Sequence, residues 1–357
     1  MGCEQSSQRE HHPSLRAVLV TGATGFIGAR LVRRLLEGRS RVSCLVRTSS
    51  SMDSRTAKQV QSIAGDVTDR ACAQRALDQS RATTVFHLAG LVRARRRNDF
   101  MRVNAGGVET LAAACAARVD APVLVVISSL AAAGPCAANR LRVERETPAP
   151  VSAYGRSKLA GERAAMKYAQ ALPITIMRPP MVFGPGDRGL LQMFRPVARW
   201  GIHLVPGGLR GGEHRYSLVH VDDLVDGLLL AAEKGERLCQ NVQPGQGIYY
   251  LAGKEQPTYT QLGQVMAAAL GQHAPVVIRL PAPLVQVAGV IAEVAGALRR
   301  PCVEPGWISR DKITEALAGS WVCSSAKAKA QLGWSPAGTL ATQMSETAKW
   351  YREAKWL

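Results

Sequence analysis

The sequence is poor in aromatic residues and has no closely paired cysteines. Phe, Trp and Tyr make up 5% of the 357 residues, so the core must be built mainly from Ala, Val, Leu and Ile. The eight cysteines are widely spaced and form no CxxC pair, which argues against a metal site and against a disulfide framework. This cysteine usage favours a reducing compartment, and we expect a cytoplasmic protein.

Acidic residues are also scarce, with 27 Asp plus Glu against 45 Lys plus Arg and a net charge of +18. Such a charge permits binding to nucleic acid, anionic lipid or phosphorylated ligands. The arginines are scattered, however, and the one short cluster is Arg93, Arg95, Arg96 and Arg97. We interpret this cluster as a solvated loop, with anion binding as the alternative. We therefore expect a small-molecule ligand and no nucleic acid, and a homodimer stays open.

No apolar run is long enough to cross a membrane. The best candidate, residues 281–298, contains Gln286 and Glu293 and falls short of the ~20 apolar residues that a spanning helix needs. We expect it to pack as a helix in a substrate-binding domain, with contact to a membrane surface as the alternative. The polar tail, residues 1–15, lacks the apolar core of a secretory signal. Its first residues, MGCEQS, match an acylation pattern, which we interpret as a chance match.

What the sequence does contain is a regular alternation of short apolar runs and helical patterns from residue 16 onward. Five apolar runs are predicted to be strands buried on both faces: 17–20, 42–46, 83–88, 122–127 and 174–177. Between them, helical spacing of apolar residues predicts helices such as 26–37, 99–118 and 152–172. This alternation indicates an α/β fold with a parallel sheet and right-handed crossovers.

A glycine-rich turn follows the first predicted strand. Gly22, Gly25 and Gly28 are spaced GxxGxxG, which departs from the literal GxGxxG fingerprint of dinucleotide sites. The same mechanics apply, because the glycines permit a tight turn, a close approach to a pyrophosphate and close helix–strand packing. The helix N-terminus would supply amide donors to the phosphates. The alternative is a plain tight turn. Further candidate cofactor contacts in this turn are Thr24, Phe26 and Ile27.

The end of the second predicted strand bears on the choice of cofactor. An acidic residue at this place would bind the ribose 2′-hydroxyl of NAD, and none is present. Arg47 stands there instead, and a guanidinium matches the geometry of a 2′-phosphate. The sequence therefore favours NADP, with NAD as the alternative. Asp66 follows a short strand, and it is a candidate for contact with the adenine or else a turn residue.

Ser129, Tyr154 and Lys158 are the candidate catalytic residues. Ser129 ends a strand, and Tyr154 and Lys158 form a YxxxK pair whose side chains share one face of a helix. A tyrosine is a poor acid–base group at neutral pH, but a nearby ammonium favours its phenolate form. We therefore expect Lys158 to lower the pKa of Tyr154. A serine hydroxyl aimed at the same substrate oxygen would complete a proton-transfer site.

These features are similar to the extended short-chain dehydrogenase/reductase family, in particular its NAD-dependent epimerase/dehydratase and 3β-hydroxysteroid dehydrogenase group. The blocks that carry the resemblance, over about residues 16–340, are TGATGFIG, GDVTD, HLAG, ISSLAAAG, YGRSK, RPPMVFGPGD and VHVDD. The resemblance implies a Rossmann-type, doubly wound parallel sheet with Ser129, Tyr154 and Lys158 as the catalytic set. It also implies cofactor contacts at Val67, Leu88, Ala89, Gly90, Asn104, Tyr154, Lys158, Pro179 and Val182, and no metal.

The sequence pattern also suggests how the chain is divided. After about residue 181 the strand–helix rhythm breaks, and Gly, Pro and aromatic residues become frequent. We predict a dinucleotide-binding domain over 16–180, to which part of the chain at about 216–252 returns. Residues 181–357 then form mainly a smaller C-terminal substrate-binding domain.

Two departures from the family pattern bear on the substrate. Nucleotide-sugar epimerases of this family carry an Asn where this chain has Met181, and Arg215 is displaced by one residue from their conserved arginine position. Both departures favour an NAD(P)-dependent oxidoreductase that interconverts a secondary alcohol and a ketone on a sterol- or isoprenoid-like substrate. One alternative is a nucleotide-sugar epimerase or dehydratase with tightly bound NAD. The other is a non-catalytic, dinucleotide-sensing regulator.

Overall fold

A wholly parallel sheet of seven strands forms the centre of the molecule. The computed structural model describes residues 15–50, 52–94, 96–137, 140–207, 214–239, 243–298 and 309–357, so the acylation-like pattern and Arg95 lie outside it. Side by side, the strands are β10 (Ile248–Tyr249), β6 (Ile174–Met177), β5 (Val123–Ile127), β4 (Thr84–His87), β1 (Ala17–Thr21), β2 (Arg41–Val46) and β3 (Gln61–Ala64). The strand order reverses between β1 and β4, which confirms the Rossmann-type fold and places its switch point there.

Helices cover both faces of the sheet because successive side chains of a strand point to opposite faces. Along β1, Val18 and Val20 belong to one buried cluster and Leu19 to the other. The covering helices are α1 (Phe26–Glu37) and α9 (Val221–Lys234) on the first face, and α3 (Arg70–Ser80), α5 (Gly107–Ala116) and α7 (Ala153–Met166) on the second.

The predicted helix 99–118 is wrong in detail, because the structure divides it into three parts. A short helix α4 (Arg97–Phe100) leads into a π-helical turn, Met101–Gly106, which leads into α5. The predicted helix 152–172 likewise ends early, at Met166. The other short helices of this half are α2 (Ser54–Ala57) and α6 (Leu130–Ala133).

Several elements after residue 181 form a third cluster beside the sheet. Strands β7 (Met181–Phe183) and β8 (Ile202–Pro206) each pair with a later strand, β9 (Leu218–His220) and β11 (Val276–Leu280) respectively. Helices α8 (Arg188–Trp200), α10 (Tyr259–Ala269) and α14 (Leu340–Glu353) pack around Phe194, Met266 and Tyr351. Within 216–252, α9 and β10 belong to the central sheet and its cover. The domain boundaries stay a prediction.

Helix α11 (Ala282–Leu298) differs from its expected packing. Only a narrow stripe of its described side chains is buried: Val285 is 9% exposed, and a Cβ placed on Gly289 would lie 2.4 Å from Ile313 of the next helix. Leu284, Val287 and Ile291 are exposed by 54–63%. Among the described residues, no helix has both the length and the apolar content to cross a bilayer. The two last helices are α12 (Arg310–Leu317) and α13 (Ala326–Leu332).

Candidate active site

The glycine-rich turn lies at the carboxyl end of β1 and leaves no room for side chains. Gly22 has φ +72°, and a Cβ on it would lie 2.6 Å from the amide nitrogen of Ala89. A Cβ on Gly28 would lie 2.1 Å from the carbonyl oxygen of Gly22. Gly25 is the N-cap of α1 and has no side chain to bond the first amides of that helix. The turn therefore brings Gly22, Gly25, Gly28 and the Leu88–Gly90 segment together, with Thr24 exposed and Phe26 and Ile27 half-buried.

Arg47 and Asp66 lie on the other side of this turn, at the ends of β2 and β3. Arg47 is exposed, and its charge is among the influences that lower the pKa of Asp66, after the hydrogen bond from the Thr68 amide. Asp66 Oδ1 accepts hydrogen bonds from the amide and the hydroxyl of Thr68, at 2.8 and 2.7 Å. Val67 is buried in the core of the second sheet face. Asp66 is therefore a turn residue, as one of the two sequence interpretations has it. Both of these hydrogen bonds use Oδ1 and leave Oδ2 for the other interpretation, contact with a ligand.

Asn104 fixes the loop after β4 to the helix that carries the candidate catalytic tyrosine. Its Oδ1 accepts from the Leu91 amide at 2.7 Å, and its Nδ2 donates to Leu91 O and Ser157 Oγ, each at 2.9 Å. A Cβ on Gly90 would lie 3.0 Å from Asn104 Oδ1 and 3.1 Å from Lys158 Nζ. Asn104 lies in the π-helical turn, so the departure from regular helix coincides with a residue of the site.

Lys158 reaches from α7 to the end of β5. Its Nζ donates to the Ile127 carbonyl oxygen at 2.8 Å, and burial lowers its pKa to about 8 although the Glu162 carboxylate opposes this. Glu162 in turn forms a buried ion pair with Arg178, whose Nε donates to Glu162 Oε1 at 2.8 Å. Ser128 also donates to that carboxylate. The Glu162 carboxylate near Lys158 is therefore already paired with Arg178 and Ser128.

Tyr154 lies in the first turn of α7, close enough to Ser129 for that hydroxyl to lower the pKa of the phenol. Ser129 is the N-cap of α6, and its Oγ also accepts from the Ala131 amide at 3.1 Å. Burial raises the pKa of Tyr154, and this outweighs the lowering by Lys312 and Ser129. The expectation that Lys158 holds this pKa below its usual value is therefore wrong. A lysine from elsewhere in the chain lies over the ring.

That lysine belongs to α12, a helix that the sequence did not associate with the site. Lys312 Nζ lies 5.0 Å from the centre of the Tyr154 ring. Asp311 accepts from the backbone amides of Ala153 and Tyr154, at 2.6 and 3.1 Å. Glu315 accepts from the Ser152 hydroxyl at 2.6 Å and from Lys312 at 2.8 Å. No motif or spacing marks these three residues, because their role depends on contacts with a helix more than 150 positions earlier.

The segment after β6 completes the edge of the site. The Pro179 carbonyl accepts from the Leu130 amide at 2.9 Å, which ties this segment to Ser129 and α6. Met181 and Val182 follow on β7, and both are half-buried. His87, at the end of β4, is buried with Nδ1 2.8 Å from Thr21 Oγ1, and burial lowers its pKa to about 3. It is a neutral packing residue.

The candidate residues are spread along one edge of the sheet in a way that suits a dinucleotide. Ser129, Tyr154 and Lys158 lie at the end of β5, the glycine turn at β1, and Arg47 at β2. Three strand spacings separate β5 from β2, which is about 15 Å. Among the described residues no cluster of three or more His, Cys, Asp or Glu side chains is arranged to hold a metal ion.

Comparison with known proteins identifies the family. The sequence model of the NAD dependent epimerase/dehydratase family matches residues 18–242. The chain is 32% identical to a ceramide reductase of Caulobacter vibrioides, over 95% of this chain and 96% of the relative. It is 26% identical to the decarboxylating sterol-4-alpha-carboxylate 3-dehydrogenase of Candida albicans, over 95% and 99%.

A solved structure shows the shared fold. The UDP-glucose 4-epimerase of Thermus thermophilus, solved with NAD, superimposes with a TM-score of 0.73 and 24% identity, covering 94% of this chain and 99% of that one. The family match spans the glycine turn, the serine, the YxxxK pair and six of the seven strands described above. This protein is therefore an enzyme of the NAD-dependent epimerase/dehydratase family, within the extended short-chain dehydrogenases/reductases.

Proposed function

We propose that this enzyme interconverts a secondary alcohol and a ketone on a hydrophobic, lipid-like substrate, with a nicotinamide dinucleotide as hydride carrier. The observation that carries the proposal is that Ser129, Tyr154 and the buried Lys158 come together at the carboxyl end of the central strands. Two hydroxyls held together there can both address one substrate oxygen. No other acid–base arrangement is needed for the reaction.

The described residues fit a dinucleotide. Gly22 and Gly28 leave a cradle that any side chain would fill, and the N-cap Gly25 leaves the first amides of α1 to a phosphate. Lys158 Nζ, next to Gly90, uses one of its donors on Ile127 and keeps the others for a ribose hydroxyl. When bound, the nicotinamide ring supplies or accepts the hydride.

The chain's own residues move the proton. In the reducing direction, Tyr154 Oη donates a proton to the carbonyl oxygen of the substrate, and Ser129 Oγ holds that oxygen in place. In the oxidising direction, the Tyr154 phenolate accepts the proton from the alcohol. Asn104 keeps the Leu88–Leu91 loop against α7, so that the cofactor site and the tyrosine keep a fixed distance.

For the cofactor we propose NADP rather than NAD. Arg47 is exposed at the end of β2, where the adenine ribose of a dinucleotide in this fold lies. An acidic residue at that strand end would repel a 2′-phosphate, whereas a guanidinium binds one through paired hydrogen bonds.

Three observations support a hydrophobic substrate. Two relatives that match nearly the whole chain are named for ceramide and sterol-carboxylate substrates. Met181 places a thioether where a nucleotide-sugar enzyme presents an amide. Helix α11, joined to the site through α12, exposes Leu284, Val287 and Ile291.

The test is the Tyr154→Phe variant. The ring and its packing stay while the proton donor is lost, so turnover should fall by about 10²–10⁴-fold. Ketone reduction is followed by loss of NADPH absorbance, and the cofactor Kd should change little. Near-normal turnover in this variant would refute the proposal. Tightly retained NAD in the purified protein, with no net redox turnover, would instead favour the epimerase.

A further inference from the structure

The proton-transfer site has a second lysine that comes from the C-terminal part of the chain. Lys312 Nζ stands 5.0 Å from the centre of the Tyr154 ring and is held at 2.8 Å by Glu315 Oε2. Lys158, the lysine of the YxxxK pair, instead donates to the Ile127 carbonyl oxygen. The two cations therefore have different partners, and the one over the phenol ring is Lys312.

The placement of Lys312 is enforced from both sides. Asp311, the preceding residue, accepts from the amides of Ala153 and Tyr154, which ties the start of α12 to the start of α7. Glu315, one turn later, accepts from Ser152 Oγ, and its carbonyl oxygen accepts from Trp321 Nε1 at 2.8 Å. Four hydrogen bonds thus fix the helix that carries the ammonium.

We propose that Lys312 is a positioning residue of this site, whose ammonium group stabilises the negative charge that Tyr154 carries once it has given up its proton. This inference rests on the proposed function. Deprotonation of a buried phenol needs a compensating cation, because burial penalises the charged form. Lys312 meets that need from the ring face, which leaves the hydroxyl oxygen free for Ser129 and the substrate.

The charged and titratable groups around Tyr154 agree with this role. From α12, Lys312 favours the phenolate and Glu315 opposes it. Asp311 is engaged with the backbone amides of α7, and Lys158 lies four residues further along α7. Glu315 and Tyr154 also raise the pKa of Lys312 against the effect of its burial, so Lys312 keeps its charge through the neutral range.

The experiment compares Lys312→Met and Lys312→Gln with wild type and with Lys312→Arg. The Lys312 side chain is 39% exposed, so the effect belongs at the low end of the range for an opposite charge within ~4–6 Å, about one pKa unit. Both neutral variants should raise the pKa of Tyr154 by that amount. In the alcohol-oxidising direction, where the phenolate accepts the proton, kcat/KM should then fall about tenfold at pH values below that pKa. Lys312→Arg should restore most of it, and the cofactor Kd should stay the same.

A spectroscopic readout keeps the test independent of the substrate. With ring-labelled ¹³C-tyrosine, the resonance that disappears in Tyr154→Phe reports the ionisation of Tyr154 directly. A matched control is Lys327→Met, because Lys327 Nζ lies 4.7 Å from the centre of the Tyr249 ring and 2.6 Å from Glu236. That variant should leave the Tyr154 titration unchanged.

The outcomes separate the two proposals. An unchanged Tyr154 titration in both neutral variants would overturn the role of Lys312, whatever the activity. A shifted titration together with normal turnover in Tyr154→Phe would leave the electrostatic pairing standing but refute the proposed function. A shifted titration with a matching shift in the pH profile supports both.

Discussion

Replacing Glu162 by glutamine should destabilise the folded protein by about 3–5 kcal/mol, the usual cost of breaking a buried ion pair from one side. The Glu162 and Arg178 side chains are 5% and 2% exposed, and the guanidinium donates through both Nε and Nη2. Glutamine keeps one acceptor oxygen, but its NH₂ group would face an Arg178 N–H, so two donors oppose each other. Tyr250, at 3.2 Å from Nη1, cannot balance the charge that remains.

The magnitude converts into a thermal shift. An unfolding entropy of about 2.1 cal/mol/K per residue gives about 0.75 kcal/mol/K for a chain of this length. The variant should therefore lose roughly 4–7 °C in Tm by differential scanning calorimetry. The matched control is Glu109→Gln, which removes a 2.8 Å pair with Lys167 whose side chains are 46% and 63% exposed. Both charges of an exposed pair stay in water, so its Tm should change much less than that of Glu162→Gln. Equal shifts in the two variants would refute the argument from burial.

Two further predictions concern the cofactor and the buried lysine. Arg47→Asp should weaken NADPH binding relative to NADH binding by about ten- to a hundredfold, the range of one lost charge-assisted hydrogen bond. The two Kd values are measured by fluorescence titration, and an unchanged ratio would show that Arg47 does not contact the 2′-phosphate. Because burial lowers the pKa of Lys158 from 10.5 to about 8, the unfolded chain binds more protons across this window and wild-type stability should rise with pH there. The free energy of unfolding of Lys158→Met should accordingly exceed that of wild type at pH 7, by up to about 3 kcal/mol. Urea unfolding should show this difference shrinking toward pH 10. A difference that stays constant with pH would contradict the lowered pKa.

The sequence predicted the fold correctly where an apolar run had clear start and stop residues and became a buried helix or strand in the structure. The helix Phe26–Glu37 and the strand Ile174–Met177 have the predicted limits, because Gly25 and Gly38 bound the helix and Pro173 and Arg178 bound the strand. The π-helical turn around Asn104 was not predictable, since a shift of the apolar pattern by one residue is too small to distinguish from a continuous helix.

Only those parts of the site whose residues are close together in the sequence were predictable. Gly22–Gly28 and the Tyr154–Lys158 pair are local patterns with a mechanical meaning. Asp311, Lys312 and Glu315 are an ordinary charged helix in sequence, and they acquire their role only when α12 meets α7. The predicted direction of the Tyr154 pKa shift was wrong for the same reason. The burial that raises this pKa depends on the whole fold and cannot be seen in a local pattern.

The contact between Asp311 and the start of α7 has a consequence for the order in which the protein is made. All seven strands of the sheet are complete by residue 249, so a chain still attached to the ribosome can close its dinucleotide cradle early. The acceptor for the Ala153 and Tyr154 amides is synthesised 158 and 157 residues after them. A nascent or truncated chain that stops before residue 310 therefore lacks the carboxylate that holds the start of α7. On this account, full activity requires α12, which is synthesised after all seven strands of the nucleotide-binding sheet.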